Sequence, residues 1–157
     1  MATTVRITRR YRQQLCAPAR RVLPLLTAAR EGEWLEGWSP RVVDPGEPPG
    51  GQGGVFVTET PPGHTVWVMT VYDPAALRVQ YVRVTPGVVA VVLDIQLEDD
   101  GPGCRAEIVY TYSALSGAGE DYLADDVTEE RFRARLVHWE RSLDHYLATG
   151  RRLPAGE

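Results

Sequence analysis

The sequence predicts an α+β domain in which an antiparallel sheet of about seven strands packs against a long C-terminal helix. Strand-like segments follow one another between residues 41 and 114, separated by Gly, Pro and Asp turns. One strongly periodic helical segment closes the chain. The 157 residues are 43% hydrophobic and 24% charged, which is typical of a globular protein, so we expect a single domain over 1–157.

The first 40 residues predict one strand followed by two short helices. Apolar residues alternate along Thr3–Arg12, which is typical of a strand. Pro18 suits the first turn of a helix, whereas Pro24 lies inside the same segment and should keep that helix short or kinked. A second short helix is predicted over Ala28–Leu35, ending near Gly37.

Six further strands are predicted in the middle of the chain. Their spacing of about 8–12 residues and their short connections indicate an antiparallel meander. The segments are Arg41–Asp44, Val55–Thr60, Thr65–Tyr72, Arg78–Thr85, Val88–Glu98 and Arg105–Ala114. The stretch PGEPPGGQGG at 45–54 is rich in breakers of regular structure, so the region 41–54 is predicted to be a mobile loop region.

Alternation along the later strands predicts which side chains face the core. The inward set is Val91, Leu93, Ile95, Leu97, Ala106, Ile108, Tyr110 and Tyr112. In Thr65–Tyr72 both faces are fairly apolar. The sequence therefore leaves open whether Trp67 and Met69 or Val68 and Tyr72 face inward.

The C-terminal segment predicts a helix over 128–149. Thr128 is a candidate N-cap with two acidic residues in the first turn, and Gly150 ends the helix. At 1.5 Å per residue the helix is about 33 Å long, enough to cross the domain. Its apolar stripe consists of Phe132, Leu136, Trp139, Leu143 and Tyr146/Leu147.

Composition excludes several classes of protein. All 17 basic residues are arginine, which indicates GC-rich coding and a bacterial source. Residues 1–30 hold seven arginines and no acid, a charge that could suit nucleic acid. They contain only one aromatic residue and no recognised nucleic-acid-binding motif, so we expect no nucleic-acid partner. The apolar run Val22–Leu26 is too short for a signal peptide and no run could span a bilayer, so we expect a cytoplasmic protein without stable membrane insertion. A homodimer is compatible with the sequence.

Catalytic and metal-binding motifs are absent from the sequence. There is no GxSxG, no P-loop and no GxGxxG, so no catalytic residue is assigned and no cofactor is expected. The two cysteines form no CxxC pair. His64, His138 and His145 are too dispersed for HExxH, so no metal site is predicted.

Several segments together resemble the START-related SRPBCC superfamily, which includes birch-pollen-allergen-like proteins and polyketide cyclases. The segments are Leu23–Trp38, Gly54–Thr58, Thr65–Asp73, Tyr81–Gly87, Val109–Leu115 and the closing helix through Gly150. The resemblance implies the helix-grip fold, a curved sheet wrapped around the C-terminal helix. It also implies a deep apolar cavity between the two that holds a hydrophobic small molecule or lipid.

Within that fold we expect the cavity to be lined from both the sheet and the helix. The candidate lining residues are Trp34, Trp38, Phe56, Thr58, Trp67, Tyr81, Arg83, Leu93, Ile108, Tyr110, Tyr112, Leu136, Trp139, Glu140 and Leu143. Arg83 has two alternatives: it is buried beside Tyr81, or both face outward while Val82 and Val84 face the core.

Two functions follow from these expectations. The first is binding of a lipid or an aromatic, polyketide-like molecule, extended to cyclase or dehydratase-type activity. The alternative is a protein-interaction module of the heat-shock ATPase activator type, without a small-molecule substrate. A large cavity with inward polar groups would favour the first, and a filled core with an exposed apolar patch the second.

Overall fold

Seven strands join in one antiparallel sheet in the computed structural model, which describes residues 5–154. The strands are β1 Arg6–Leu15, β2 Arg41–Asp44, β3 Val55–Thr58, β4 Thr65–Asp73, β5 Arg78–Thr85, β6 Val89–Asp100 and β7 Gly103–Ala114. Their order is β1-β7-β6-β5-β4-β3-β2, so every neighbouring pair except β1 and β7 is consecutive in the chain. The predicted α+β architecture, an antiparallel sheet with a long C-terminal helix, is confirmed.

Four helices and one 3-10 turn complete the described chain. They are α1 Ala19–Val22, a 3-10 turn Leu23–Leu26, α2 Ala28–Glu31, α3 Gly117–Asp126 and α4 Glu129–Thr149. Pro24 lies in the first turn of the 3-10 segment, where its missing N–H costs nothing. The second short helix ends at Glu31, four residues before its predicted end.

Helix α3 is an element that the sequence analysis did not predict. Its residues, GAGEDYLADD, contain two glycines and no apolar stripe, so helical periodicity is missing. The Ser116 side chain caps the helix by accepting a hydrogen bond from the Gly119 backbone N–H, 3.2 Å away. A Cβ at Gly119 would lie 1.9 Å from the Val88 carbonyl oxygen, so only glycine allows α3 to sit this close to the β5–β6 turn.

Helix α4 has the caps that the sequence indicates. The Thr128 hydroxyl accepts a hydrogen bond from the Arg131 backbone N–H at 3.2 Å. Gly150 ends the helix in the left-handed conformation, with φ 73°. The buried side chains of α4 face the sheet, and the Gln13 amide of β1 donates a hydrogen bond to the Leu136 carbonyl at 3.1 Å. The helix is therefore fixed along β1.

The inner face of the sheet follows the predicted alternation on β6 and β7. On β5, Val79, Tyr81 and Arg83 are all buried, so of the two alternatives for Arg83 the inward one holds. Strand β4 has an irregularity between Met69 and Val71 that shifts its pairing with β5. As a result Trp67, Met69 and Tyr72 all pack against the core, which combines the two alternatives left open by the sequence.

Residues 5–154 contain neither a membrane-spanning helix nor a cluster of metal ligands. No helix in this range combines the length and the apolar character needed to cross a membrane. No three His, Cys, Asp or Glu side chains of these residues are grouped so that they could hold a metal ion. Cys16 and Cys104 are both free thiols.

Candidate functional site

A cavity of about 640 Å³ lies between the N-terminal half of α4 and the end of the sheet formed by the β3–β4 connection. Its walls come from β3, β4, β5, β7, α3 and α4. The lining residues are Leu35, Thr58, Thr60, Pro61, Thr65, Trp67, Arg83, Tyr110, Tyr112, Tyr122, Asp126, Phe132, Ala134, Arg135, Leu136, His138 and Trp139. This volume lies in the range of about 300–1,000 Å³ that small-molecule sites occupy.

Arg83 is the most deeply buried charged side chain of this wall. It projects from the middle of β5, where it pairs with Trp67 on β4 and with Val91 on β6. The guanidinium carbon lies 5.4 Å from the centre of the Trp67 ring and 5.9 Å from that of Tyr112. Only 8% of the residue is exposed. The cation is thus held between two aromatic side chains of the same sheet face.

The Arg83 guanidinium has no acidic partner among residues 5–154. No carboxylate oxygen of these residues lies within 4.0 Å of it, and its buried Nε–H has no hydrogen-bond acceptor. Leaving such a donor unpaired costs about 1–3 kcal/mol, and more for a charged group. The Trp139 indole N–H, on the α4 wall, is the second buried donor without an acceptor.

Two tyrosines from β7 add hydroxyl groups to the same wall. Burial raises the pKa of Tyr112 to about 12, against the opposing charge of Arg83. Burial also raises the pKa of Tyr110, whose ring lies against Phe132 with centroids 5.2 Å apart. Both hydroxyls therefore stay protonated at neutral pH and can donate hydrogen bonds into the cavity.

A cluster of aromatic rings closes the cavity on the β3–β4 side. Phe56 and Trp67 stack with centroids 5.4 Å apart, and Trp38 meets both rings edge-on. The Trp67 indole N–H donates to the Thr58 hydroxyl at 2.9 Å. A smaller apolar cavity of about 180 Å³ lies beyond this cluster, under the β2–β3 connection, with Phe56 and Tyr81 in its wall.

Trp34 lies behind the cavity wall. Its ring stacks on Trp139 at 6.0 Å, its indole N–H donates to the Leu25 carbonyl at 2.8 Å, and only 1% of it is exposed. Trp34 therefore packs against Trp139 on the side of that ring that faces the protein core.

Glu31, at the end of α2, has a carboxyl group surrounded by protein atoms although the residue as a whole is only partly buried. Burial raises the pKa of this carboxyl group well above its ordinary value. Its negative charge in turn contributes to the raised pKa of Tyr81 and of Tyr110. Glu31 is therefore an acidic group in the interior close to these two tyrosines.

The structure divides the predicted site residues into three groups. Seven line the cavity: Thr58, Trp67, Arg83, Tyr110, Tyr112, Leu136 and Trp139. Seven belong to the packed interior next to it and do not line it: Trp34, Trp38, Phe56, Tyr81, Leu93, Ile108 and Leu143. Glu140 is directed toward β1, where its carboxylate accepts hydrogen bonds from the Tyr11 hydroxyl at 2.8 Å and the Gln14 backbone N–H at 2.6 Å.

Sequence reasoning did not assign the remaining lining residues to the site. Tyr122 and Asp126 lie on α3, a helix whose only sequence signals are the Ser116 cap and an acid in the first turn. Thr60 and Pro61 lie in the β3–β4 connection, which carries no periodic pattern. His138 and its neighbours on α4 lie beside the apolar stripe. The spacing of the stripe predicts which side of the helix is buried, but it does not show which residues at the edge of that side border a cavity.

Comparison with known proteins places these features in context. A sequence model of the family described as "Polyketide cyclase / dehydrase and lipid transport" matches residues 6–144. No curated protein matches the chain by sequence. Norcoclaurine synthase from Thalictrum flavum has a similar structure, with a TM-score of 0.70 and 13% identity, over 93% of this chain and 88% of that one.

Two further solved structures have the same architecture. Ara h 8.0201 gives a TM-score of 0.67 with 13% identity, over 92% of this chain and 99% of that one. A protein from Rhodobacter sphaeroides gives 0.63 with 18% identity, over 90% and 91%. Norcoclaurine synthase has also been solved in complex with dopamine and hydroxybenzaldehyde. At these identities the structural likeness shows the fold.

Proposed function

Because the chain belongs to the polyketide cyclase / dehydrase and lipid transport family, we propose that it binds a hydrophobic small molecule in the cavity between α4 and the sheet. The observation that carries this proposal is the cavity of about 640 Å³ itself, with walls of aromatic and aliphatic side chains. A ligand in such a site is stabilised mainly by burial of apolar surface, while a few polar groups set its orientation.

The aromatic rings of the wall favour a planar or aromatic ligand over a purely aliphatic one. Trp67 and Trp139 come from opposite sides, the sheet and the helix, so an aromatic molecule in the cavity meets an indole from each side. Norcoclaurine synthase, which shares the fold, has been solved with two aromatic molecules. This similarity supports the same ligand class here.

Cyclase or dehydratase-type chemistry on a carbonyl ligand would fall to the polar groups of the wall. The Tyr110 and Tyr112 hydroxyls are protonated donors, and Arg83 is a fixed cation, so together they can polarise a carbonyl and stabilise an enolate oxygen. The interaction-module alternative required a filled core in place of a cavity with inward polar groups, so the cavity favours the small-molecule function.

The proposal is tested with neutral probes, so that charge plays no part. We expect 2-naphthalenemethanol to bind the wild-type chain saturably with 1:1 stoichiometry, to change tryptophan emission, and to give a negative heat-capacity change in calorimetric titrations. Leu136→Trp should weaken binding at least tenfold, because the larger side chain occupies the cavity.

Arg141→Trp is the matched control, because it places the same indole on an exposed position of α4. It should bind the probe as the wild type does. The proposal is wrong if the wild-type chain binds no aromatic or aliphatic probe saturably, neither the neutral alcohols nor the corresponding carboxylates, or if both tryptophan variants bind equally well. Mass spectrometry of small molecules that co-purify with the native protein then identifies the natural ligand.

A further inference from the structure

We infer that the cavity selects hydrophobic molecules that carry a carboxylate, and that this carboxylate pairs with the Arg83 guanidinium. This inference rests on the proposed function above and specifies its ligand class. It starts from a buried cation that has no acidic partner in residues 5–154 and whose Nε–H has no acceptor, in the wall of a cavity large enough for a ligand.

The surroundings of Arg83 hold the guanidinium in place and leave its Nε–H without an acceptor. The centroids of the Trp67 and Tyr112 rings lie within 6 Å of the guanidinium carbon, close enough for a cation–π attraction that uses none of the N–H donors. The N–H donors of a guanidinium point outward in its plane, in a fork that matches the two oxygens of a carboxylate. The aromatic contacts thus hold the side chain in place. Tyr112 also takes part in a side-chain hydrogen bond with the guanidinium, whereas the buried Nε–H remains available to a ligand.

The other charged and titratable groups of the wall do not supply the missing acceptor. Asp126 is the only acid among the lining residues, and its carboxylate is already paired with Arg131 at 3.3 Å. Arg135 and His138 also border the cavity, but both residues are exposed and neither carries an acidic group that could pair with Arg83. No acid of the described wall neutralises Arg83, so a ligand that carries an anion can supply the missing acceptor.

Trp139 offers a second hydrogen bond from the opposite wall. Its indole N–H is buried and unpaired, and its ring is fixed by the stack on Trp34. A carboxylic acid with a second oxygen function, such as a hydroxy or keto group on its apolar body, can use this donor as well. The two unpaired donors together favour an oxygenated hydrophobic acid over a simple hydrocarbon.

The test compares matched pairs of probes that differ only in charge, 2-naphthoate with 2-naphthalenemethanol and decanoate with decan-1-ol, by calorimetry at pH 7. We expect the wild-type chain to bind each carboxylate at least tenfold more tightly than its alcohol. In Arg83→Met the carboxylates should lose at least tenfold in affinity, about 1.4 kcal/mol, while the alcohols change less than threefold. Arg83→Lys should retain part of the preference, because it keeps the charge but loses the fork.

Arg78→Met is the matched control on the same strand, since Arg78 lies on the outer face of β5 and pairs with Asp94. It should leave all four affinities unchanged within threefold. If an Arg83 variant fails to fold, ¹⁵N NMR of the wild-type chain gives the same answer. One arginine Nε–H resonance, assigned as Arg83 by whichever variant folds or by through-bond correlation, should shift with naphthoate and not with the alcohol.

The outcomes separate this inference from the proposed function. Binding of alcohols and carboxylates with equal affinity, or equal losses of both in Arg83→Met, overturns the inference and leaves small-molecule binding intact. The absence of binding by all four probes overturns the proposed function itself.

Discussion

The two ends of the interface between α4 and the sheet differ in what fills the space between them. At one end, which we call the closed end, Leu143 and Leu147 belong to the same packed core as the aliphatic residues Ile95 and Leu97, and all four are nearly inaccessible. At the other, the open end, Leu136 and Trp139 face Arg83 and the β7 tyrosines across a cavity of about 640 Å³.

The difference comes from the short segments that cover the sheet. Residues 19–26 place Val22, Leu23 and Leu26 in the core of the closed end, and the Arg21 guanidinium donates to the Leu147 carbonyl at 2.8 Å. At the open end the covering segment is α3, which packs mainly on β7 and also lies against the β5–β6 turn. Only two of its residues other than glycine, Leu123 and Tyr122, are apolar and packed inward.

The comparison shows that strand alternation and a helical stripe are the same at both ends, while cavity formation depends on how the short helices lie.

The strongest test of this view is Leu143→Ala at the closed end. We expect a loss of about 3–5 kcal/mol in the free energy of unfolding, because tightly surrounded leucines leave a cavity when truncated. Equilibrium denaturation in urea, monitored by circular dichroism, measures it.

Leu136→Ala makes the same chemical change on the same helix at the open end. The expected loss is about 2 kcal/mol, close to the transfer term alone, because Leu136 already borders empty space. Equal losses in the two variants would show that both ends are packed alike and would remove the distinction.

A pair of tyrosine variants sharpens the comparison at the level of single hydroxyl groups. Tyr81→Phe should cost about 1 kcal/mol, because the Tyr81 hydroxyl donates to the buried Leu26 carbonyl at 2.7 Å. Tyr110→Phe should cost less than about 0.5 kcal/mol, since no described residue accepts a hydrogen bond from its hydroxyl. Urea denaturation of both variants gives the difference, and a larger cost for Tyr110→Phe would contradict it.

The smallest effect concerns Glu31, near the boundary between the two ends. Burial raises the pKa of its carboxyl group in the folded state. Its contribution to stability is thus fully present below the unfolded pKa and is lost as the pH rises through the folded pKa. Glu31→Gln cannot ionise, so at pH 7 it should melt at a higher temperature than the wild type, with the difference shrinking toward pH 4.

Glu33→Gln, two residues away, is the matched control with the opposite sign. Hydrogen bonds from Arg30 and Tyr146 lower the pKa of Glu33, so its contribution is present above the unfolded pKa and lost in acid. This variant should melt below the wild type at pH 7. Calorimetric melts between pH 4 and pH 8 measure both, and shifts of the same sign would mean that Glu31 is solvated like an ordinary surface acid.

Much of the fold could be predicted from the sequence because its signals are local. Alternation on β6 and β7 reports burial directly, and Thr128 and Gly150 mark the ends of α4 through their own conformations. The irregularity after Met69 in β4 could not be predicted, since a pairing shift depends on the partner strand. Helix α3 was missed because its residues form no apolar stripe, and the close approach of Gly119 to Val88 is a tertiary contact that a local pattern does not report.

The candidate site was predictable only where it coincides with a regular element. Arg83 had two alternatives because both faces of β5 carry valines, and the choice was made by the curvature and covering of the sheet. Trp34 and Leu143 were predicted to line the cavity. Both lie in the core on the inner face of the sheet, but neither borders the cavity. Alternation along a strand predicts which face of the sheet a residue lies on. Whether that residue borders the cavity or the packed core depends on tertiary packing.

The distribution of tryptophan has an optical consequence. The four indoles of the chain are Trp34, Trp38, Trp67 and Trp139, two in the cavity wall and two in ring contact with those. Stacked and edge-on indoles couple their electronic transitions, so the tryptophan part of the near-ultraviolet circular dichroism and the tryptophan emission come from these two contacting pairs. Tryptophan emission of the unlabelled protein therefore reports on the cavity wall and on the two indoles that support it.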